Sequence, residues 1–152
     1  MSYGQLAGPK SADTDSYGGR WKFDNTGKAW IWVKAHANLT AKKPYQMMWD
    51  KYGPVTKDIT DEAVYHYIVV PEEAVGSGEY AWMQVRGFIE KMICTAGNHT
   101  AGHAIKKHDA TIVTTGAAPS GAASEFAVAT EAGTSVTSID CILFGDRILG
   151  TT

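Results

Sequence analysis

The feature that most constrains the fold is a series of apolar segments that alternate along the chain and show no sustained helical period. The longest is GEYAWMQVRGFIEKMICTAG, residues 78–97. Alternate side chains of a β-strand face opposite sides, so this segment predicts a long central strand. Gly87 interrupts it and is expected to form a bulge at which the strand bends. One face would carry Ala81, Met83, Val85 and Ile89, and the other Trp82, Gln84, Arg86 and Phe88.

The segments on either side of this strand are short and rich in β-branched and aromatic residues. Before it, residues 30–36 predict a strand, residues 45–53 an extended or short helical segment, and residues 52–55 a turn. Residues 63–70 predict a strand closed by Pro71, and residues 71–78 predict one helical turn. Those after it predict four strands, HAIKK, ATIVTT, EFAVATEA and SIDCILFGDRIL, separated by glycine turns at 95–97, 115–121 and 131–135. Short strands at even spacing are typical of an all-β sandwich or barrel.

Residues 1–28 are expected to form an extended arm, because they are rich in Gly, Ser, Asp and Thr and their apolar residues follow no period. A frayed terminus is one interpretation. The other is that part of the arm lies on another surface, since a solubilising tail has little need of aromatic residues. The candidate partner contacts are then Tyr3, Tyr17, Trp21 and Phe23.

Composition argues against several classes of partner. The net charge is −2, and the 14 Lys and Arg residues are spread along the chain, without the basic stripe of a duplex-binding domain. No apolar run approaches the length that spans a bilayer, and the first residues lack the apolar core of a signal peptide. We therefore expect a protein made in a cytoplasm, with Cys94 and Cys141 as buried free thiols rather than the alternative, a disulfide.

Residues 98–116, NHTAGHAIKKHDATIVTTG, hold three of the five histidines and raise the question of a metal site. A helix would place His99 and His103 on one face, but Gly102 interrupts it and the following residues favour a strand. Strand residues four apart lie roughly 13 Å apart, too far to share a zinc ion. We expect a hairpin that reverses at KHDA and no metal in one chain. A folded-back His108 or a partner chain would be needed to complete a site.

No local pattern indicates catalysis. GxSxG is absent, and the adjacent carboxylates Glu72 and Glu73 would diverge in an extended chain. GSGEY, residues 76–80, lacks the lysine of a phosphate-binding loop. We expect a protein that is not an enzyme and needs no cofactor, although a site assembled from scattered loops would leave no local motif.

Three stretches together carry a family resemblance. Residues 78–116 combine an aromatic and Gln/Val strand ending near glycine, a Thr/Ala/Gly turn and a short strand. Residues 123–149 place a small-residue segment before a final apolar strand, and residues 30–45 place a strand before a polar turn containing LT. Over roughly residues 29–149, the chain resembles the capsid decoration, or cement, proteins of tailed bacteriophages.

The resemblance implies a compact β-barrel or β-tulip-like domain with little helix, here residues 29–152, behind the arm. It implies a homotrimer on the outer surface of an icosahedral virion, made in the host bacterial cytoplasm, which bridges neighbouring major capsid proteins against internal DNA pressure. Neither a membrane nor direct nucleic-acid contact belongs to this role. The alternative is a receptor- or glycan-binding β module of a phage head fibre or tail, in which exposed Trp and Tyr would stack on sugars.

Overall fold

The computed structural model describes residues 8–10, 20–51, 53–59, 67–108, 112–115, 117–119 and 125–145. In these ranges the chain forms ten strands and no helix, which confirms the prediction of a mainly β protein. The described residues therefore contain no helix with the length and hydrophobicity that a bilayer crossing requires. The strands are β1 (Trp21–Phe23), β2 (Ala29–Lys34), β3 (Tyr45–Asp50), β4 (Gly53–Lys57), β5 (Tyr67–Pro71), β6 (Tyr80–His99), β7 (Ala104–His108), β8 (Ile112–Thr115), β9 (Glu125–Ala129) and β10 (Gly133–Phe144).

Five of these strands close into a barrel, as the sequence predicts. They are hydrogen-bonded in the order β2-β4-β3-β5-β6, and β6 returns to pair with β2. All pairings in this ring are antiparallel except that of β2 with β4, which run parallel where Lys34 meets Val55. Closure leaves these strands without an open row of backbone groups. The barrel core includes Ala29, Ile31, Val33, Tyr45, Met47, Val69, Ala81, Met83 and Val85.

A second apolar core lies beside the barrel, where the sheet continues from β6 through β10, β9 and β7 to β8. β5 serves both cores, because Val69 belongs to the barrel core while its neighbours Ile68 and Val70 belong to the second. β6, 20 residues long, also contributes to both. The second core includes Ile89, Met92, Cys94, Ile105, Phe126, Ile139, Cys141 and Leu143.

The irregularities of β6 flank Gly87 rather than fall on it. One extra residue of β6 lies opposite the step from Ala29 to Trp30, another lies between Ile89 and Met92, and the register shifts again between Ile93 and Gly97. Gly87 itself has a φ of 89°, and a Cβ there would lie 2.9 Å from the Cα of Lys28. The glycine is thus required by its left-handed backbone and by the close approach of the neighbouring chain.

Three local predictions are wrong. The turn predicted at residues 52–55 is not found over 53–55, because residues 53–57 form strand β4 and pair with both β3 and β2; residue 52 lies outside the described part. Residues 71–78 form no helical turn: Val75 is buried and exchanges backbone hydrogen bonds with Leu39, which holds that segment extended. Residues 95–97 lie within β6 instead of in a turn.

Two other local predictions are confirmed. Of the two alternatives for residues 45–53, extended or short helical, the extended one holds over Tyr45–Asp50, which form strand β3. The predicted reversal is present as the antiparallel pairing of β7 with β8, in which His108 lies opposite Ile112. The residues that connect these two strands, 109–111, lie outside the described part.

The described parts of the predicted arm are attached to the sheet. Strand β1 pairs antiparallel with β2, and the carbonyl of Arg20 accepts a hydrogen bond from the backbone N–H of Trp32. Lys10 exchanges two backbone hydrogen bonds with Tyr80 at the start of β6, at 2.8 and 2.7 Å. Residues 1–7 and 11–19 lie outside the described residues.

Candidate contact surface

An open, mainly apolar groove of about 400 Å³ lies beside β1, lined by Trp21, Phe23, Tyr67, Arg86 and Gly145. Trp21 and Phe23 are two residues apart in a strand and so project from the same face. Their rings stack with centroids 5.9 Å apart and planes 11° apart. Tyr67 meets Trp21 edge-on at 5.5 Å. These contacts form a fixed aromatic wall with Phe23 as its exposed part, at 58% relative exposure.

The one charged group of the groove, Arg86, is held by its backbone neighbours. Gly145 has a φ of 76°, and a Cβ at that position would lie 2.4 Å from the Cβ of Arg86. The side-chain amide of Gln84 donates hydrogen bonds to the carbonyls of Arg86 and Phe88, at 3.0 and 2.8 Å. The backbone is thus fixed on both sides of Gly87, and Arg86 presents its side chain at the surface.

A second exposed apolar feature adjoins the groove. Phe88 on β6 and Ile142 on β10 lie directly opposite each other in the ladder, and their relative exposures are 43% and 42%. Val128 of β9 lies opposite Ile142 and is half-buried. Directly opposite residues share one face of a sheet. We call Phe88 and Ile142, together with Arg86 and Glu90 on either side of Phe88, the β6–β10 strip.

The register joins the groove and the strip into one continuous face. Phe23 lies opposite Ala29, Ala29 opposite Arg86, and Arg86 opposite Phe144 on β10. The other exposed large apolar residue in the described part, Trp49, lies on β3 and does not line the groove. Three of the four such residues therefore belong to the groove or to the strip beside it.

The predicted contact residues have different outcomes. Trp21 and Phe23 both line the groove, whereas Tyr3 and Tyr17 lie outside the described residues. Sequence reasoning missed Tyr67 and the exposed pair of the strip. Strand alternation placed Phe88 on the face opposite Ile89, but it did not reveal that Phe88 remains exposed beside the other described strands.

Most of the tryptophans are unavailable to a ligand. Trp30, Trp32 and Trp82 form a buried cluster against Tyr80 on the side of β2 and β6 that faces away from the barrel core. The ammonium group of Lys22 lies 4.8 Å from the centroid of the Trp82 ring. Among the tryptophans, this leaves Trp49 and Trp21, in the wall of the groove, for stacking on sugars.

The histidines do not converge within the described residues. His99 is buried, with its Nε2 3.2 Å from the Sγ of Cys94, and His103 lies at a turn. His36 contacts the hydroxyl of Thr56 through Nδ1 at 2.8 Å. The described residues contain no group of three or more His, Cys, Asp or Glu residues placed to hold a metal ion. His66, and the side chain of His108, lie outside that description.

The two cysteines are buried and not bonded to each other. Burial raises the pKa of the Cys94 thiol to about 11. Burial, together with the nearby Asp140 and Cys94, raises the pKa of the Cys141 thiol further still. A thiol of raised pKa is a poor nucleophile at neutral pH, so their burial in the core favours a packing role.

No protein-family model matches the chain, and no curated protein matches it in sequence. Among solved structures, it is similar to the crystal structure of the N base of head fibre gp8.5 of bacteriophage phi29. The TM-score is 0.54 with 11% sequence identity, and the match covers 78% of this chain and 96% of that one. At this identity the likeness shows a shared fold.

Proposed function

We propose that the protein is a structural component of a bacteriophage head, attached to the outside of the capsid across neighbouring major capsid proteins. The observation that carries the proposal is the fold it shares with nearly the whole of a phage head-fibre base. The resemblance of its strand and turn patterns to capsid decoration proteins supports the same role independently. In this proposal it acts as a homotrimer without catalysis, cofactor or direct contact with nucleic acid.

The groove beside β1 is the proposed capsid contact. An exposed aromatic ring on a rigid wall is the kind of anchor that dominates protein interfaces, because its burial requires little ordering of its own side chain. Phe23 is the most exposed large apolar residue in the described part, and its ring is already fixed against Trp21. Repeated on a symmetric particle, several modest contacts of this kind combine into high avidity.

A second candidate function is that of a head-fibre base, which binds the capsid and carries a receptor- or glycan-binding part. The structural neighbour is the N base of a head fibre, which favours this candidate. The two roles share capsid attachment and differ in receptor contact. Binding of the purified protein to host-cell polysaccharide would favour the head-fibre role, whereas binding to capsids alone would favour decoration.

Phe23→Ala tests the capsid contact. We expect it to leave the fold intact, because the ring is largely exposed, and to weaken binding to purified capsids about tenfold or more, which corresponds to loss of an interface anchor. Trp49→Ala is the matched control, since it removes another exposed aromatic ring, at 46% relative exposure, that does not line the groove. Co-sedimentation with capsids measures both.

Equal binding by Phe23→Ala and the wild type would place the attachment surface elsewhere. If the wild type binds no form of the capsid, the proposed function itself is contradicted. Trp21→Ala is the less specific test, because Trp21 packs partly against the barrel core and its loss would also destabilise the fold.

A further inference from the structure

The outward face of β6 carries an unusual order of charges around an exposed apolar residue. Arg86, Phe88 and Glu90 are all exposed, and Ile89 between them is buried, so the three side chains project from the same face. The basic and acidic residues therefore stand on either side of Phe88, roughly 13 Å apart along an extended strand. Ile142 of β10 extends the apolar centre sideways.

Neither charge is neutralised within the described part of the chain. No ion pair involves the side chain of Arg86 or Glu90 there. The nearest lysine in sequence, Lys91, is already engaged: its Nζ lies 2.9 Å from Glu131 and 3.4 Å from Asp140. The hydrogen bond with Glu131 raises the pKa of Lys91, and the same bond lowers the pKa of Glu131.

We infer that the β6–β10 strip packs against the same strip of a second copy of this chain, with Arg86 of one copy facing Glu90 of the other. The order of plus, apolar, minus is complementary to itself when reversed. Two copies related by a two-fold axis near Phe88 would form both ion pairs at once. In a ring of three copies, Arg86 of each copy would face Glu90 of the next. Phe88 and Ile142 would then be covered by their own counterparts.

The chemistry of the strip suits a protein interface. Apolar residues at the centre with charged residues at the rim is the common arrangement, in which the centre supplies most of the affinity and the rim sets the register. A specific interface buries about 1,600 Å² in total, so the strip would be its centre rather than its whole. An unrelated partner would have no reason to match both charges, whereas a second copy matches them by identity.

A charge exchange tests the pairing. Arg86→Glu alone sets two carboxylates against each other across the interface, and Glu90→Arg alone sets two guanidinium groups together. Each should weaken self-association about tenfold or more in sedimentation equilibrium without capsids. The double variant Arg86→Glu with Glu90→Arg restores opposite charges at every contact and should recover most of the association. Lys57→Glu, an exposed charge reversal on β4, is the control and should change nothing.

Recovery in the double variant would also show that the loss in the single variants is not misfolding, which circular dichroism checks directly. A wild type that stays monomeric at every concentration would overturn the inference, and so would single variants that associate as well as the wild type. Equal weakening in all three variants would overturn the Arg86–Glu90 pairing. These outcomes are separate from capsid attachment, which the Phe23 variant tests with capsids present.

Discussion

At the residue scale, the backbone around Arg86 is fixed by groups that carry no charge. Gly145 leaves space for the stem of Arg86, where a Cβ would lie 2.4 Å from the Cβ of Arg86. Gln84 holds the carbonyls on both sides of Gly87 with one side-chain amide. The Nε2 of this buried amide bonds two backbone carbonyls and so limits the movement of the segment, while its Oε1 is buried without a hydrogen-bond partner among the described residues. The single charged residue of the groove is therefore held in place by its neighbours.

The buried thiols give a prediction at this scale. Because burial raises the pKa of Cys94 to about 11, the native protein should hold almost no thiolate at pH 8, and a thiol reagent should label it slowly. Unfolding in urea at the same pH should expose both cysteines and make labelling fast. Rapid labelling of the native protein would show that the second core opens readily.

The same shift has a consequence for stability. The thiol pKa is higher in the folded chain than its ordinary value of 9.0, so the folded state retains the proton that the unfolded state loses. The contribution of this thiol to the free energy of unfolding is fully present below pH 9 and declines as the pH rises toward about 11. The raised pKa of Cys141 acts in the same direction.

At the element scale, β6 is the strand on which the architecture depends. Its first half pairs with β2 and β5 and faces the barrel core, and its second half pairs with β10 and faces the second core. A strand has a two-residue period, so one extra residue reverses which side chains point to a given side. The irregularity between Ile89 and Met92 makes that change, and it brings Met92 and Cys94 onto the same side as Ile89.

Gly87→Ala tests whether β6 requires a glycine at this position. A side chain at a φ of 89°, with its Cβ 2.9 Å from the backbone of Lys28, should lower the free energy of unfolding by about 2 kcal/mol. Gly97→Ala, in the same strand, is the matched control, because its Cβ would meet nothing closer than 3.8 Å. Urea denaturation measures both. Equal stability of the two variants would mean that Lys28 shifts without cost.

At the scale of the whole molecule, one hydrogen-bonded sheet joins the closed barrel, the second core and the described parts of the predicted arm. The exposed face runs across this sheet from β1 to β10. Capsid attachment through the groove and self-association through the strip would therefore use adjacent parts of one surface. A trimer built in this way would set several grooves side by side, which favours multivalent attachment.

Deleting residues 1–20 tests how far the arm supports the barrel. The deletion removes the two backbone hydrogen bonds between Lys10 and Tyr80 and the one from Trp32 to the carbonyl of Arg20. We expect a folded barrel whose free energy of unfolding is lower by about 2 kcal/mol, together with weaker capsid attachment. Deleting residues 1–7 leaves all three bonds and should leave stability near that of the full chain. Identical melting of both truncations would show that these bonds do not stabilise the barrel.

Much of the local structure could be read from the sequence, because a strand's alternation is a local property. The long strand near residues 80–94, the hairpin of β7 with β8, the closing strand β10 and the burial of both thiols all follow from short-range patterns. Local rules failed where a distant partner decided the outcome. Pro54 lies in a strand because β3 holds β4, and Val75 stays extended because Leu39 bonds to it.

The sequence by itself determined the β class and most of the strands, and it singled out Trp21 and Phe23 as candidate contacts, which the structure places in the groove. Only the tertiary structure decided that β6 closes on β2, that Tyr67 and Arg86 meet those two residues, and that Phe88 lies uncovered opposite Ile142. The reason is physical. The alternation of apolar and polar residues in the sequence shows that a strand has two different faces. Which face is covered depends on the register and order of strands that are far apart in the chain.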